Sequence, residues 1–137
     1  MADEENQKVK WQIRRDYAQK NRFKKYAKKH NEEVVSCTAN LQKLEAFLND
    51  GGTLQQALGF GYFGTEGEDI YRIGQTGIEN AQETRLYIYA QITGPDIQVI
   101  TIGDKSTQQA DIRHCKLLVR KLKAKQTKQN QNRSQGA

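Results

Sequence analysis

The sequence has few apolar residues: 36% of its 137 positions are hydrophobic and the mean hydropathy is −0.89, so the core must be small and most of the surface polar. No apolar run approaches the roughly 20 residues that a membrane span requires, so no membrane partner is expected. The opening MADEENQ has neither the basic nor the apolar part of an export leader, which makes the cytoplasm the expected location. Cysteine is scarce too. Cys37 and Cys115 have no close-spaced partner of the metal-binding kind, so neither a zinc site nor a disulfide framework is indicated, and both are expected to be buried free thiols. Phosphate-cradling glycine signatures are missing. Gly59, Gly61 and Gly64 alternate with Phe60, Tyr62 and Phe63 in the manner of a bent or bulged strand. Neither they nor Gly74 and Gly77 show dinucleotide or P-loop spacing ahead of a helix. Glu66, Glu68 and Asp69 form an acidic cluster, but three carboxylates in a turn are ordinarily just solvated, and no metal or cofactor is expected. No internal repeat is visible, and the length suits one domain on a prior of roughly 100–200 residues per domain.

What the chain does have is charge, unevenly placed. Residues 1–30 carry a balance of +6, residues 31–110 of −7 and residues 111–137 of +7, which together make the net +6. A basic–acidic–basic chain either binds a polyanion with its ends or folds so that the ends neutralise the middle. Arg72, Arg85 and Lys105 are three of the only four cations between residues 31 and 110, which singles them out.

Val9, Trp11 and Ile13 alternate as in a strand, whereas the following RRDYAQKNRFKKYAKK has no Gly or Pro and is rich in helix formers. Residues 9–13 are therefore either a short opening strand or the first turn of a helix. Ile13, Tyr17 and Ala27 share one face of that helix with Lys20 and Lys24, a poor apolar stripe that predicts exposure on most sides. Asn31 followed by Glu32 and Glu33 reads as the start of a second helix. Val34, Cys37, Leu41, Leu44 and Leu48, supported by Phe47, give it a clean buried face as far as Asp50-Gly51-Gly52, where glycine ends it. Two helices joined by a short polar turn predict an antiparallel helical hairpin.

After Thr53 the period shortens, and FGYFGT, IYRIGQ, RLYIYAQI and IQVITIG read as strands. Leu86, Ile88, Ala90 and Ile92 would share one strand face, and Arg85, Tyr87, Tyr89 and Gln91 the other. Thr93-Gly94-Pro95-Asp96 is a turn that should join 85–92 to 97–103 as a hairpin. A last helix is expected from near Ser106, its cap, to about Lys123, with Ile112, Cys115, Leu118, Val119 and Leu122 inward. The expected fold is thus α+β: an N-terminal helical hairpin packed on an antiparallel sheet of about four strands, closed by a C-terminal helix. Residues 1–8 are expected to be a flexible start, 9–123 a single domain and 124–137 a disordered basic tail. The tail AKQTKQNQNRSQGA has no large apolar side chain to offset an ordering cost of about 1–2 kcal/mol per residue.

No hydrolase constellation stands out. His114 adjoins Cys115 on the last helix, where neighbouring side chains diverge by about 100 degrees, so no Cys–His nucleophile forms there. The strongest pattern runs from Asp69 to Ile112: DIYRI, a Gly-containing connection, RLYIY, a hairpin turn, then IQVITIGDKSTQQADI. It resembles the addiction-module killer branch of the RelE/ParE toxin superfamily. Members have an Arg-containing strand, a second strand reading Tyr-Arg-Val-Tyr-Tyr or similar, and a hydrophobic strand running into Gly-Asp-Lys-Ser-Thr-Gln and then Asp-Ile at the opening of a helix. Arg72 matches the first arginine, and Arg85 the second, with Tyr87 and Tyr89 after it. Gly103, Asp104, Lys105, Ser106, Thr107, Gln108, Asp111 and Ile112 match the final motif. The chain departs from the pattern at Gln82-Glu83-Thr84, where the family has Gly-Pro-Gly-Tyr, and at Ile102, where it has a second glycine.

The resemblance, which covers residues 34–123, implies the toxin-like component of a type II toxin–antitoxin system. Such a component is a metal-independent mRNA-cleaving or ribosome-associated protein, with RNA or the ribosome and a cognate antitoxin as partners; other members of the superfamily act on DNA gyrase. Cleavage through a neighbouring 2′-hydroxyl needs a base for its proton, cations for the phosphorane and an acid for the leaving oxygen. Arginine suits the middle role, because its guanidinium grips phosphate bidentately and stays charged. Arg72, Arg85, Lys105 and Tyr87 are the candidate catalytic residues, with His114 a candidate acid or base. Arg113, Lys116 and Arg120 extend the candidate phosphate contacts along the last helix, as do basic residues of the first. Two other readings stand beside this one. Arg85 and Arg72 can instead pair with Glu83 or Glu66 while GDKSTQ serves as a structural turn with Ser106 capping the helix. Or the protein keeps the toxin fold without catalysis and binds a protein or nucleic-acid partner.

Overall fold

The computed structural model describes residues 10–78, 81–91 and 94–135. The expected flexible segment 1–8, Val9, Ile92 of the expected strand and Thr93 of the expected turn lie outside the described residues. The open choice at 9–13 is decided by distant residues. β1 (Gln12–Arg14) is a strand that pairs parallel to the last strand, β5 (Gly94–Asp104), with Ile13 opposite Ile97. Its other edge is closed by helix side chains: Trp11 N–H donates to Asn49 Oδ1 at 2.6 Å and Ile13 N–H to Glu45 Oε2 at 2.9 Å. Those two bonds occupy backbone donors that would otherwise template another strand.

Three helices follow, α1 (Lys20–Lys29), α2 (Asn31–Asn49) and the short α3 (Leu54–Ala57). The expected N-terminal helical hairpin is not formed. A strand precedes the helices, and His30 alone separates α1 from α2, whereas a reversal between antiparallel helices takes a loop of about 2–5 residues. The end of α2 follows from its glycines. Gly51 is left-handed at φ 100°, and Gly52 N–H donates to the Phe47 carbonyl at 2.9 Å, which closes a Schellman turn over the last carbonyls.

The remaining strands are β2 (Phe63–Gly67), β3 (Ile70–Gly74) and β4 (Thr84–Gln91). They join β1 and β5 in a five-stranded mixed sheet of order β1-β5-β4-β3-β2, parallel only between β1 and β5. This corrects the expectation of an antiparallel sheet of about four strands. The unexpected member is β1, too short to display a period of its own.

Helices cover both faces. Cys37, Leu41 and Leu44 of α2 pack on Leu86, Ile88 and Ile97. On the other face, α4 (Gln108–Gln135) lays Cys115 and Val119 over Ile70, Tyr87, Tyr89 and Ile100. The register shift beside Tyr87 leaves Ile100 as an extra residue, a β-bulge, and its carbonyl accepts from Gln19 N–H at 2.9 Å. Past Lys123, where the sequence predicts a disordered tail, α4 continues to Gln135. Ala124 to Gln135 contain no Gly or Pro and several good helix formers, so local propensity prolongs a helix whose start is held by packing. No helix among the described residues is long and apolar enough to cross a membrane.

Candidate nucleic-acid interface

Strand register decides which candidate residues meet. On the α4 side of the sheet, Gly64, Arg72, Tyr87 and Thr101 form one cross-strand row, and Gly74, Arg85 and Gly103 the next. Gly64 makes room for a cation: a Cβ there would stand 2.6 Å from the Arg72 Cζ, so the guanidinium lies across a position that only glycine leaves open. Arg72 and Arg85 both line a cleft of about 360 Å³, together with Tyr62, Gln75 and Thr84. Each arginine is also held by an acid. Arg72 Nη1 donates to Glu66 Oε1 at 2.7 Å and to the Thr65 carbonyl at 3.0 Å, and Arg85 Nη2 donates to Glu83 Oε1 at 3.0 Å. These are the pairs that the structural alternative anticipates. They do not saturate the guanidinium groups, which carry five N–H donors apiece. The Glu83 side chain is 61% exposed, so water weakens its hold, while Glu66 at 14% grips Arg72 more firmly.

Lys105 does not join them. It is exposed on a turn whose other residues bond to one another. Asp104 Oδ1 accepts from the Ser106 N–H at 2.9 Å and its hydroxyl at 2.6 Å. Thr107 Oγ1 accepts from the Asp104 N–H at 3.1 Å and donates to Asp111 Oδ2 at 2.7 Å. Asp111, its side chain 1% exposed, then pairs with Arg22 Nη2 at 2.7 Å. Gly103 permits the arrangement, because a Cβ there would collide with the Asp111 carboxylate and the Thr107 hydroxyl. The motif therefore ties β5 to α4 and, through Arg22, to α1. Ser106 is not the cap: α4 begins at Gln108, and the Thr107 carbonyl accepts the Asp111 N–H at 2.9 Å. The two carboxylates of the turn shift oppositely. Hydrogen bonds, above all from the Ser106 hydroxyl, hold Asp104 below its ordinary value, whereas burial pushes Asp111 up despite Arg22.

The other candidates are dispersed. Tyr87 has no exposed surface, and its hydroxyl lacks a hydrogen-bond partner among the described residues; burial first, then the Asp111 charge, pushes the phenol up to about 12. His114 is half-buried on α4 and does not line the arginine cleft. Arg113, Lys116 and Arg120 line a separate groove along α4. Arg120 is engaged with Glu68 at 3.1 Å, and Lys123 with Asp69 at 3.0 Å, so the acidic turn between β2 and β3 is where α4 docks. Burial pushes both Cys37 and Cys115 up to about 12, leaving inert thiols. Among the described residues no group of three or more His, Cys, Asp or Glu is arranged to hold a metal ion.

The larger basic feature is on α1, which the sequence treats only as a source of auxiliary charge. Arg22, Lys25, Tyr26, Lys28, Lys29 and His30, with Asp104, line a cavity of about 480 Å³. Tyr26 OH and Thr84 Oγ1 meet at 2.7 Å, and they belong to the linings of the two cavities, so the α1 cavity adjoins the arginine cleft. A signal for it was present: Arg22, Lys25, Tyr26 and Lys29 recur at spacings that put them on one helical face. No protein-family model, curated protein or solved structure matches this chain.

Proposed function

We propose that this protein is the toxin-like component of a type II toxin–antitoxin system, a metal-independent ribonuclease that acts in the cytoplasm on mRNA or at the ribosome and is restrained by an antitoxin. The observation that carries the reading is the meeting of Arg72 and Arg85 in one cleft, next to a helix rich in lysine. A cleft with two guanidinium groups suits a phosphodiester, and it is the middle requirement of 2′-hydroxyl attack, stabilisation of the phosphorane. The adjoining lysines of α1 supply sequence-independent contacts to neighbouring phosphates.

The test is binding and cleavage of single-stranded RNA. Affinity should fall with salt at a slope of about 0.7 per phosphate neutralised, and Arg85→Ala should flatten that slope and lower cleavage by about 10²–10³. Protein that ignores RNA at low salt, and whose induced expression leaves growth and mRNA unchanged, ends this reading. A second reading, a non-catalytic protein that keeps the toxin fold and binds a protein or nucleic-acid partner, is favoured by the sealed Tyr87 and by the acids on both arginines. The two separate on the RNA ends: 2′,3′-cyclic phosphates require cleavage, which binding alone does not produce.

A further inference from the structure

The arginine cleft contains no histidine; of its acid–base side chains, Glu83 is engaged with Arg85 and burial pushes the Tyr62 phenol up. Tyr87 is sealed, and His114 lies elsewhere on α4. Across the Tyr26–Thr84 contact, the cavity of α1 contains a histidine. His30 Nδ1 lies 3.0 Å from Glu33 Oε2, and Glu33 is a buried residue, 7% exposed. A carboxylate in that place takes the Nδ1–H, fixes the tautomer and leaves Nε2 as a proton acceptor. Nε2 has no hydrogen-bond partner among the described residues, and the Tyr26 ring steadies the imidazole, with centroids 4.8 Å apart. Lys25, Lys28 and Lys29 line the same cavity, with Arg22 and a single carboxylate, Asp104, whose Oδ1 is engaged by the Ser106 N–H and hydroxyl.

We infer that His30 is the general base of this site, positioned by Glu33, and that its substrate is an RNA phosphodiester seated among the α1 lysines; the inference rests on the ribonuclease reading above. His30 Nε2 removes the proton of the 2′-hydroxyl as the 2′ oxygen attacks phosphorus. The bond from phosphorus to the 5′ oxygen breaks, and that oxygen leaves with a proton from a lysine ammonium of the cavity. The products are a 2′,3′-cyclic phosphate and a free 5′-hydroxyl. Water then takes the proton from the imidazolium and restores the ammonium, so nothing is oxidised and no co-reactant is consumed. The chain before and after the scissile phosphate has the arginine cleft as its neighbouring anchor.

The experiment uses the full chain and a single-stranded oligoribonucleotide, with a copy carrying one 2′-deoxy linkage as control. Wild-type protein should cleave the first and spare the modified linkage. His30→Ala should lower cleavage by about 10²–10⁴ at unchanged RNA affinity and unchanged thermal midpoint, and added imidazole should restore part of the rate. Glu33→Gln, a change in a positioning residue, should lower kcat and leave KM in place. Should His30→Ala not fold, His30→Gln keeps the bulk of the ring and serves instead. Cleavage by the His30 variants at the wild-type rate overturns the role of His30 and leaves the ribonuclease reading standing. Wild-type protein that binds RNA without cutting it, or does not bind it, overturns both.

Discussion

The two faces of the sheet are built on different terms. Against α2 the centre of the contact is apolar, with Leu41, Leu44, Leu86, Ile88 and Ile97 shut away from water, and the polar bonds of Asn40, Glu45 and Asn49 are all satisfied. Against α4 it is mixed: Tyr87 OH, Tyr89 OH and Gln98 Oε1 are buried without partners among the described residues, and the helix is fastened by Asp111 to Arg22, Arg120 to Glu68 and Lys123 to Asp69. Apolar burial stabilises without specifying position, whereas ion pairs and a bulged register hold a helix in one place at some cost in desolvation. The difference also resolves the charge pattern of the chain. C-terminal cations neutralise acids of the middle, as the two α4 pairs with Glu68 and Asp69 show, while α1 keeps its lysines clear of any ion pair among the described residues. Of the two uses of a basic segment that sequence leaves open, the C-terminal end takes the neutralising one.

If the α2 face supplies most of the stability, the largest effect belongs there. Leu44→Ala should cost about 2–5 kcal/mol, read as a lower urea midpoint at an unchanged slope. On the α4 side the most damaging small change is Gly103→Ala, whose methyl group meets the Asp111 carboxylate and the Thr107 hydroxyl. We expect about 1–3 kcal/mol in the same measurement, since the turn must shift to admit it. A larger loss from Gly103→Ala than from Leu44→Ala would reverse the comparison and make the polar lock the dominant element.

The elements written locally were legible, and those written by distant partners were not. The stripe Val34, Cys37, Leu41, Leu44 and Leu48 announces α2, and the alternation through 85–91 assigns Leu86 and Tyr87 to opposite faces. β1 is a strand because Asn49, Glu45 and Ile97 complete it, none of which a window of a few residues contains. His30 reads as one more residue of a basic helix until its own neighbours fold around it; Glu33 is three residues away, but the burial of that carboxylate and the Tyr26–Thr84 bridge are tertiary facts. GDKSTQ was conspicuous for a different reason. Its pattern signals a constrained backbone, and five of its bonds serve the lock rather than the cleft, with Lys105 left outside them.

A smaller effect sharpens the comparison within that lock. Asp104 sits below its ordinary value, so its stabilising hydrogen bonds are fully present above the unfolded-chain value of about 3.9 and are lost as pH falls through the lower folded value. Asp111 sits above, so the folded state binds its proton more readily, and that contribution declines as pH rises through the folded value. A carboxyl NMR titration should therefore find Asp104 below and Asp111 above the ordinary value. Asp104→Ala should cost about 1 kcal/mol at neutral pH, the net worth of an ordinary hydrogen bond on a partly exposed turn, and less in acid. Equal titration of the two groups would dissolve the lock as described.

The smallest expected change is at the centre of the mixed face. Tyr87→Phe removes a hydroxyl that is buried and has no partner among the described residues, while the ring that fills the space under α4 stays. A buried polar group without a hydrogen bond carries its desolvation cost uncompensated, so its removal should leave stability unchanged or raise it by about 1 kcal/mol at most. The contrast with Leu44 is then one of chemistry rather than depth, since both residues are fully buried. The same variant examines the proposed likeness to the toxin pattern, which has a tyrosine after its second arginine. RNA cleavage by Tyr87→Phe at the wild-type rate assigns the ring to packing and leaves acid–base work to groups that substrate can reach. Loss of cleavage in a variant whose melting temperature and RNA affinity are intact would mean that α4 lifts from the sheet to expose the hydroxyl, and the mixed face would be the part of the molecule that moves.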